Sequence, residues 1–305
     1  MLRIEVDIFS GRANPVWMIT DPDASADLLS TIGDALDAIA RPGAGFTGLG
    51  YREVRLSLAH DDEKRPQGIP RQFAIGSTAA RNTEASLALA RKVIEDMPIE
   101  SGIHLLEHDT TPLSGRMLEL ILGEFERQAH FSGLLRPQFP IPVYPIRTTV
   151  SDDDCDACAY EVSRFNPGFW NAATVVGRNN CYNYARNWRT DTFAQPGRAH
   201  GAQASAMECP DVTQAALADG LKHRCDCLPD SEYPRRLMAL VVAPGGDYHW
   251  YRRQEGGFWG HKPGHTPARN TDNNGALVVN PETAARGWYT DFCGYFYAGR
   301  SVVIN

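Results

Sequence analysis

Four prolines, Pro137, Pro140, Pro142 and Pro145, punctuate one short stretch of the chain. Each fixes its own φ and lacks an amide hydrogen, so neither a helix interior nor a central strand runs through them. The stretch reads as an extended linker or wrapping segment. The acidic run Asp152-Asp153-Asp154 follows it. A division near residue 145 gives segments 1–145 and 146–305, and 305 residues suffice for two domains with a sizeable core.

With 43% hydrophobic and 22% charged residues the composition is that of an ordinary globular protein. No apolar run approaches the ~20 residues of a membrane span. The start, Met1 to Ile8, alternates apolar and charged residues and lacks the pattern of a signal peptide. The expectation is a cytoplasmic protein, or one exported without a cleaved signal peptide. A net charge of −7 argues against nucleic acid or an anionic membrane as partner.

The first half reads as an α+β module. Leu2, Ile4, Val6 and Ile8 alternate with charged residues, Ser10 to Pro15 is turn chemistry, and Val16 to Ile19 returns as a hairpin partner. Asp23 or Ser25 is a candidate cap for a helix carrying Leu28, Leu29, Ile32, Leu36 and Ile39, stopped by Pro42-Gly43. Val54, Leu56 and Leu58 mark another strand and Phe73 to Ile75 a third. Helices are expected from about Thr83 to Met97 and around Met117 to Phe125. His60, His104, His108 and His130 are scattered and form no constellation. This half is expected to recognise a substrate or a protein partner.

The second half is rich in aromatics and glycine. Cys181, Tyr184, Ala185 and Trp188 fall on one face of a helix, and Asn179 or Asn180 is a natural N-cap. A short helix follows over Val212 to Ala218, with Asp211 as cap. Leu237 to Ala243 reads as a buried strand. Tyr248 to Arg253 and Phe258 to Lys262 form a hairpin through Gly256-Gly257, and Gly294 to Ile304 supplies the last strands.

A cysteine attacks carbonyls as the thiolate. A helix N-terminus lowers its pKa, and an imidazole takes its proton. Cys181 has the first device, and His249 is the candidate for the second. His261 would orient His249 if the hairpin brings them together. Facing residues in a hairpin have a constant sum of positions. A loop centred on Glu255 sets His249 opposite His261. A four-residue loop, Gln254 to Gly257, sets His261 opposite Trp250 and turns it away. The register is not fixed by the sequence.

Asn-Cys-Tyr-Asn-Tyr-Ala, with His249 on a later aromatic strand and His261 at this interval, resembles the papain-like cysteine peptidases, in particular the NlpC-type cell-wall peptidases and amidases. The resemblance covers about residues 165 to 300. It implies a cysteine-bearing helix packed on an antiparallel sheet, with Cys181 as nucleophile, His249 as base and His261 as orienter. It implies hydrolysis of an amide through a thioester, on a peptide or peptidoglycan-like substrate and with no cofactor. Such an enzyme would suit a bacterial toxin, an effector or a processing peptidase. Oxyanion donors are the Cys181 amide with Asn180, Asn179 or Tyr182, while Trp250, Tyr251, Phe258 and Trp259 are candidate substrate walls.

Other readings stay open. Transglutaminase or deamidase chemistry fits the same site. A non-catalytic protein would use the aromatic half as a binding surface. Seven cysteines leave at least one unpaired within a single chain. Cys155, Cys158, Cys225 and Cys227 fit a metal site, a disulfide or redox pairing, or unlinked thiols. Cys209 and Cys293 read as lone buried thiols. Asp272 or Asn273 is an alternative orienter in what otherwise reads as an Asn-Gly turn. Lys262 and His265 either line a cleft or are exposed, and His200 lies in a polar loop.

Overall fold

The computed structural model describes residues 1–58, 65–97, 113–131 and 158–305, without the side chains of 126–131. The proline stretch 137–145, Asp152 to Asp154, Cys155, His60, His104 and His108 lie outside the described residues, as does the side chain of His130. The chain is α+β and divides into two compact units, one of Met1–Phe9 with Ala13–Pro137, the other of Ser10–Arg12 with Gln138–Asn305. The second unit includes a short piece of the N-terminal segment, Ser10–Arg12.

In the first unit the strands β1 (Leu2–Asp7), β2 (Val16–Ile19), β3 (Glu53–Leu58) and β4 (Gln72–Ile75) form an antiparallel sheet in the order β2-β1-β3-β4. Alternation along β1 buries Leu2, Ile4 and Val6. Helices α1 (Pro22–Gly33), α2 (Thr83–Glu95) and α3 (Gly115–Phe131) contribute Leu29 and Ile32, Leu87, Val93 and Ile94, and Met117, Ile121 and Phe125 to the core. Asp21, not Asp23 or Ser25, caps α1, accepting from the amides of Asp23 at 2.8 Å and Ala24 at 3.3 Å, with Pro22 in the first turn. The helix stops at Gly33, so Leu36 and Ile39 fall beyond it. Asn82 caps α2 through Ala85 N.

The second unit holds α4 (Pro167–Asn171), α5 (Cys181–Arg186) and α6 (Cys209–Ala218). Its sheet comprises β5 (Lys222–His223), β6 (Arg236–Ala243), β7 (Asp247–Arg253), β8 (Trp259–His261) and β9 (Asp291–Ala298), in the order β5-β9-β6-β7-β8. Every pairing is antiparallel. The expected short helix begins earlier than Val212, at Cys209, which leaves Asp211 in its first turn. It is followed by Gly220 at φ +99°, a left-handed position that glycine adopts without strain.

Disulfides join Cys158 to Cys227 and Cys209 to Cys293, and Cys225 is disulfide-bonded as well. This corrects the thiolate-metal reading of Cys158, Cys225 and Cys227, because bridged sulfurs are not thiolate ligands. It also corrects the reading of Cys209 and Cys293 as lone buried thiols. Among the described residues no cluster of His, Cys, Asp and Glu is arranged to hold a metal ion.

The segment Ser10–Arg12 is threaded into the second unit. The carboxylate of Asp247 accepts the amides of Ser10 at 2.5 Å, Gly11 at 3.1 Å and Arg12 at 3.0 Å, and the Tyr289 hydroxyl at 2.6 Å. The Gly11 carbonyl in turn accepts from Asn180 Nδ2, Gln195 Nε2 and Tyr248 OH. A methyl group at Gly11 would come within 2.4 Å of the buried Tyr248 ring.

Gly11→Ala is expected to lose about 1–3 kcal/mol of stability, because neither the buried ring nor the anchored loop can yield. Urea denaturation checks this, and an unchanged midpoint would show that the loop moves freely. Replacing Cys209 and Cys293 together by serine opens a bridge across 84 residues. The expected loss is about 2–5 kcal/mol, read from the same denaturation curves.

Candidate functional site

The site is built on α5 and the β7–β8 hairpin. Asn180, rather than Asn179, caps α5: its Oδ1 accepts from Tyr182 N at 3.0 Å and Asn183 N at 3.1 Å, and Asn183 Oδ1 accepts from Asn180 N at 3.1 Å. This is a reciprocal capping box. The helix is shorter than its aromatic stripe implied. Asn187 turns left-handed at φ 62°, and Trp188 lies 41% exposed rather than on the buried face.

Across the hairpin, Tyr251 faces His261, Arg252 faces Gly260 and Arg253 faces Trp259. Gln254 N donates to Phe258 O, so the loop is Glu255-Gly256-Gly257, with both glycines at positive φ. The loop is odd, as the expected constellation requires, but centred on Gly256 rather than Glu255. His261 therefore sits opposite Tyr251, diagonal to His249 on the same face. The rings still meet, with Nε2 of His249 and Nδ1 of His261 2.8 Å apart.

The network has a direction. The Thr271 carbonyl can only accept, so His261 carries its proton on Nε2, 2.9 Å away. Burial holds His261 neutral by lowering its pKa to about 3. Its Nδ1 must then accept from His249 Nε2–H. In a neutral His249 ring, Nδ1 accepts from the Ser10 hydroxyl at 2.5 Å. The Thr271 carbonyl thus anchors the His261 ring, whereas the Asp272 carboxylate takes the amides of Asn274, Ala276 and Ala285 as a turn cap.

Cys181 is free and completely buried. Its thiol lies 4.0 Å from the Tyr248 carbonyl, with the Ser10 side chain nearby. Tyr182 packs on Trp250 at 5.4 Å, and the Arg252 guanidinium lies over the Tyr184 ring. Alternation along β7 thus turns Trp250 and Arg252 toward α5, and His249 and Tyr251 to the other face. The Ser10 hydroxyl bonds the His249 imidazole and lies near the thiol. Desolvation raises the thiol pKa well above its ordinary value, with the nearby Asp247 carboxylate adding to it.

The remaining predicted site residues have structural partners. Tyr182 donates its hydroxyl to Asp219 at 2.9 Å and its amide to Asn180. The Asn180 amide group donates to Gly11 O and Ala194 O. Asn179 bonds Val175 O and Asp191. Trp250 is buried between Tyr182 and Phe296, and Trp259 is buried against Tyr295. Lys262, fully buried, gives Nζ to the carbonyls of Val176, Asn179 and Gly264, each at 2.5 Å, and so pins the segment leading into α5. His265 stacks on Phe193, and His200 bonds Asp219 at 3.0 Å. Sequence reasoning missed Ser10 and Asp247. Their only sequence signal was turn chemistry at one end and a polar residue starting a strand at the other.

The chain is 47% identical over 143 residues to insoluble matrix shell protein 1 of Ruditapes philippinarum, a match that covers 47% of this chain and 95% of that protein. No family model matches the chain, and no solved structure matches it. The relative overturns the expectation of a cysteine peptidase of bacterial toxin or effector type, since it is an insoluble shell matrix protein.

The His261 shift makes a prediction about pH. Unfolded histidine titrates near 6.5 and folded His261 near 3, so between these values the unfolded chain binds the extra proton. Stability is therefore expected to fall as pH drops from 6.5 toward 3. His261→Gln should be less stable at pH 7 but show a shallower acid dependence in urea titrations at pH 7, 5 and 4. An equal slope in both proteins would remove His261 from that dependence.

Proposed function

We propose that this chain, which belongs to the family of insoluble matrix shell protein 1, is a non-catalytic structural protein of an extracellular matrix. The observation that carries the reading is the closure of the Cys181 network. The thiol, the Ser10 hydroxyl and both imidazoles are buried to 1% exposure or less. A nucleophile must meet its substrate, and a base must reach the proton it removes. Here Ser10 Oγ bonds Nδ1 of His249 and the His261 ring bonds its Nε2, so both ring nitrogens are engaged within the core.

The disulfides support an extracellular setting, since such bridges persist in oxidising compartments and are rare in the cytosol. They favour export over the cytoplasmic alternative. No described helix is long and apolar enough to cross a membrane. In this reading the aromatic-rich half is a packed core, and the polar network fixes one arrangement of α5 on the sheet.

Alkylation tests the proposal directly. Iodoacetamide at neutral pH should modify Cys181 in the native protein roughly a hundredfold or more slowly than in denaturant, because reaction awaits opening of the core. Rapid modification of native Cys181, read by peptide mass spectrometry, would sink the structural reading.

A further inference from the structure

The first unit contains a pocket of about 370 Å³ between β1, β2, α1 and the end of α2. That volume is within the usual range of small-molecule sites. Its wall is mixed: Trp17, Ile19, Leu28 and Val93 form an apolar part, and Thr31 and three charged residues also line it. Trp17, Ile19 and Leu28 are only half-buried, so apolar surface remains open there. At the mouth stand the exposed side chains of Asp27, Lys92 and Asp96. Among the described residues none of the three has an ion-pair or side-chain hydrogen-bond partner.

The charges do not cancel. Two carboxylates face one ammonium. Asp96 is the C-cap of α2, where the last helical carbonyls add partial negative charge. The Trp17 ring offers a π-face of the kind that attracts cations. A partly apolar cavity with net negative charge among its exposed lining residues selects a molecule with a hydrophobic body and a positive head.

We propose that this pocket binds a small organic amine: a free ligand whose aromatic or branched apolar body enters against Trp17, Ile19 and Leu28 and whose ammonium group stays at the mouth beside Asp27 and Asp96. Lys92 opposes binding by like charge. The proposal concerns the first unit alone and is independent of the structural role assigned to the second.

The test uses the full chain and two probes with the same ring and opposite heads, tryptamine and indole-3-acetate, in calorimetric titration with ligand-observed NMR. Tryptamine should bind saturably, and about tenfold more tightly than indole-3-acetate at low ionic strength. Ala24 lines the pocket from the exposed side of α1, so Ala24→Phe should fill it and abolish binding with the fold intact. Asp27→Asn should weaken tryptamine several-fold, and Lys92→Met should strengthen it. The proposal is overturned if neither probe binds with a Kd of about 1 mM or tighter. It is also overturned if indole-3-acetate binds as well as tryptamine, or if Ala24→Phe leaves binding unchanged while circular dichroism reports the native fold.

Discussion

The carboxylate of Asp247 holds the second unit together at its most demanding point. A buried anion is costly unless donors surround it. Desolvation pushes its pKa up, while the Tyr289 hydroxyl, the Ser10 and Gly11 amides and the Arg12 charge pull it down. Two consequences radiate from this contact. Through Ser10 it positions the hydroxyl that meets His249. Through Gly11 it presents a carbonyl to Asn180, whose side chain also caps α5. The helix start, the thiol and the paired imidazoles therefore share one support.

The elements with local causes were legible in the sequence. Alternation gave β1 and β3, the apolar run gave β6, and the Asn180 cap placed the start of α5. The hairpin shows where that legibility ends. Its two glycines announced a turn, but its centre decided whether His261 faced His249, Trp250 or Tyr251. That choice depends on packing of the whole sheet, including the bridge from His261 to Arg269. The disulfides were harder still. Cys158 meets Cys227 and Cys209 meets Cys293, at separations of 69 and 84 residues, whereas the sequence emphasised neighbours such as Cys155 and Cys158. Through-space pairing leaves no periodic trace.

Cys181 shows how the same local signal supports opposite chemistries. A helix start favours a thiolate through its oriented amides. That advantage requires a sulfur that water or substrate can reach. At Cys181 desolvation is the largest influence on the thiol and raises its pKa, and the capping box fixes a short buried helix. The distinguishing information lies outside the motif, in Ser10 from the beginning of the chain.

That long reach sets an order of events during synthesis. Arg12 and Asp247 are 235 residues apart, so the loop leaves the ribosome long before the strand that receives it exists. The second unit therefore cannot complete itself in the order in which it is made. Its core closes only when residues 10–12 meet a strand more than two hundred residues later in the sequence. The step carries a large loop-closure entropy and therefore follows the formation of local elements.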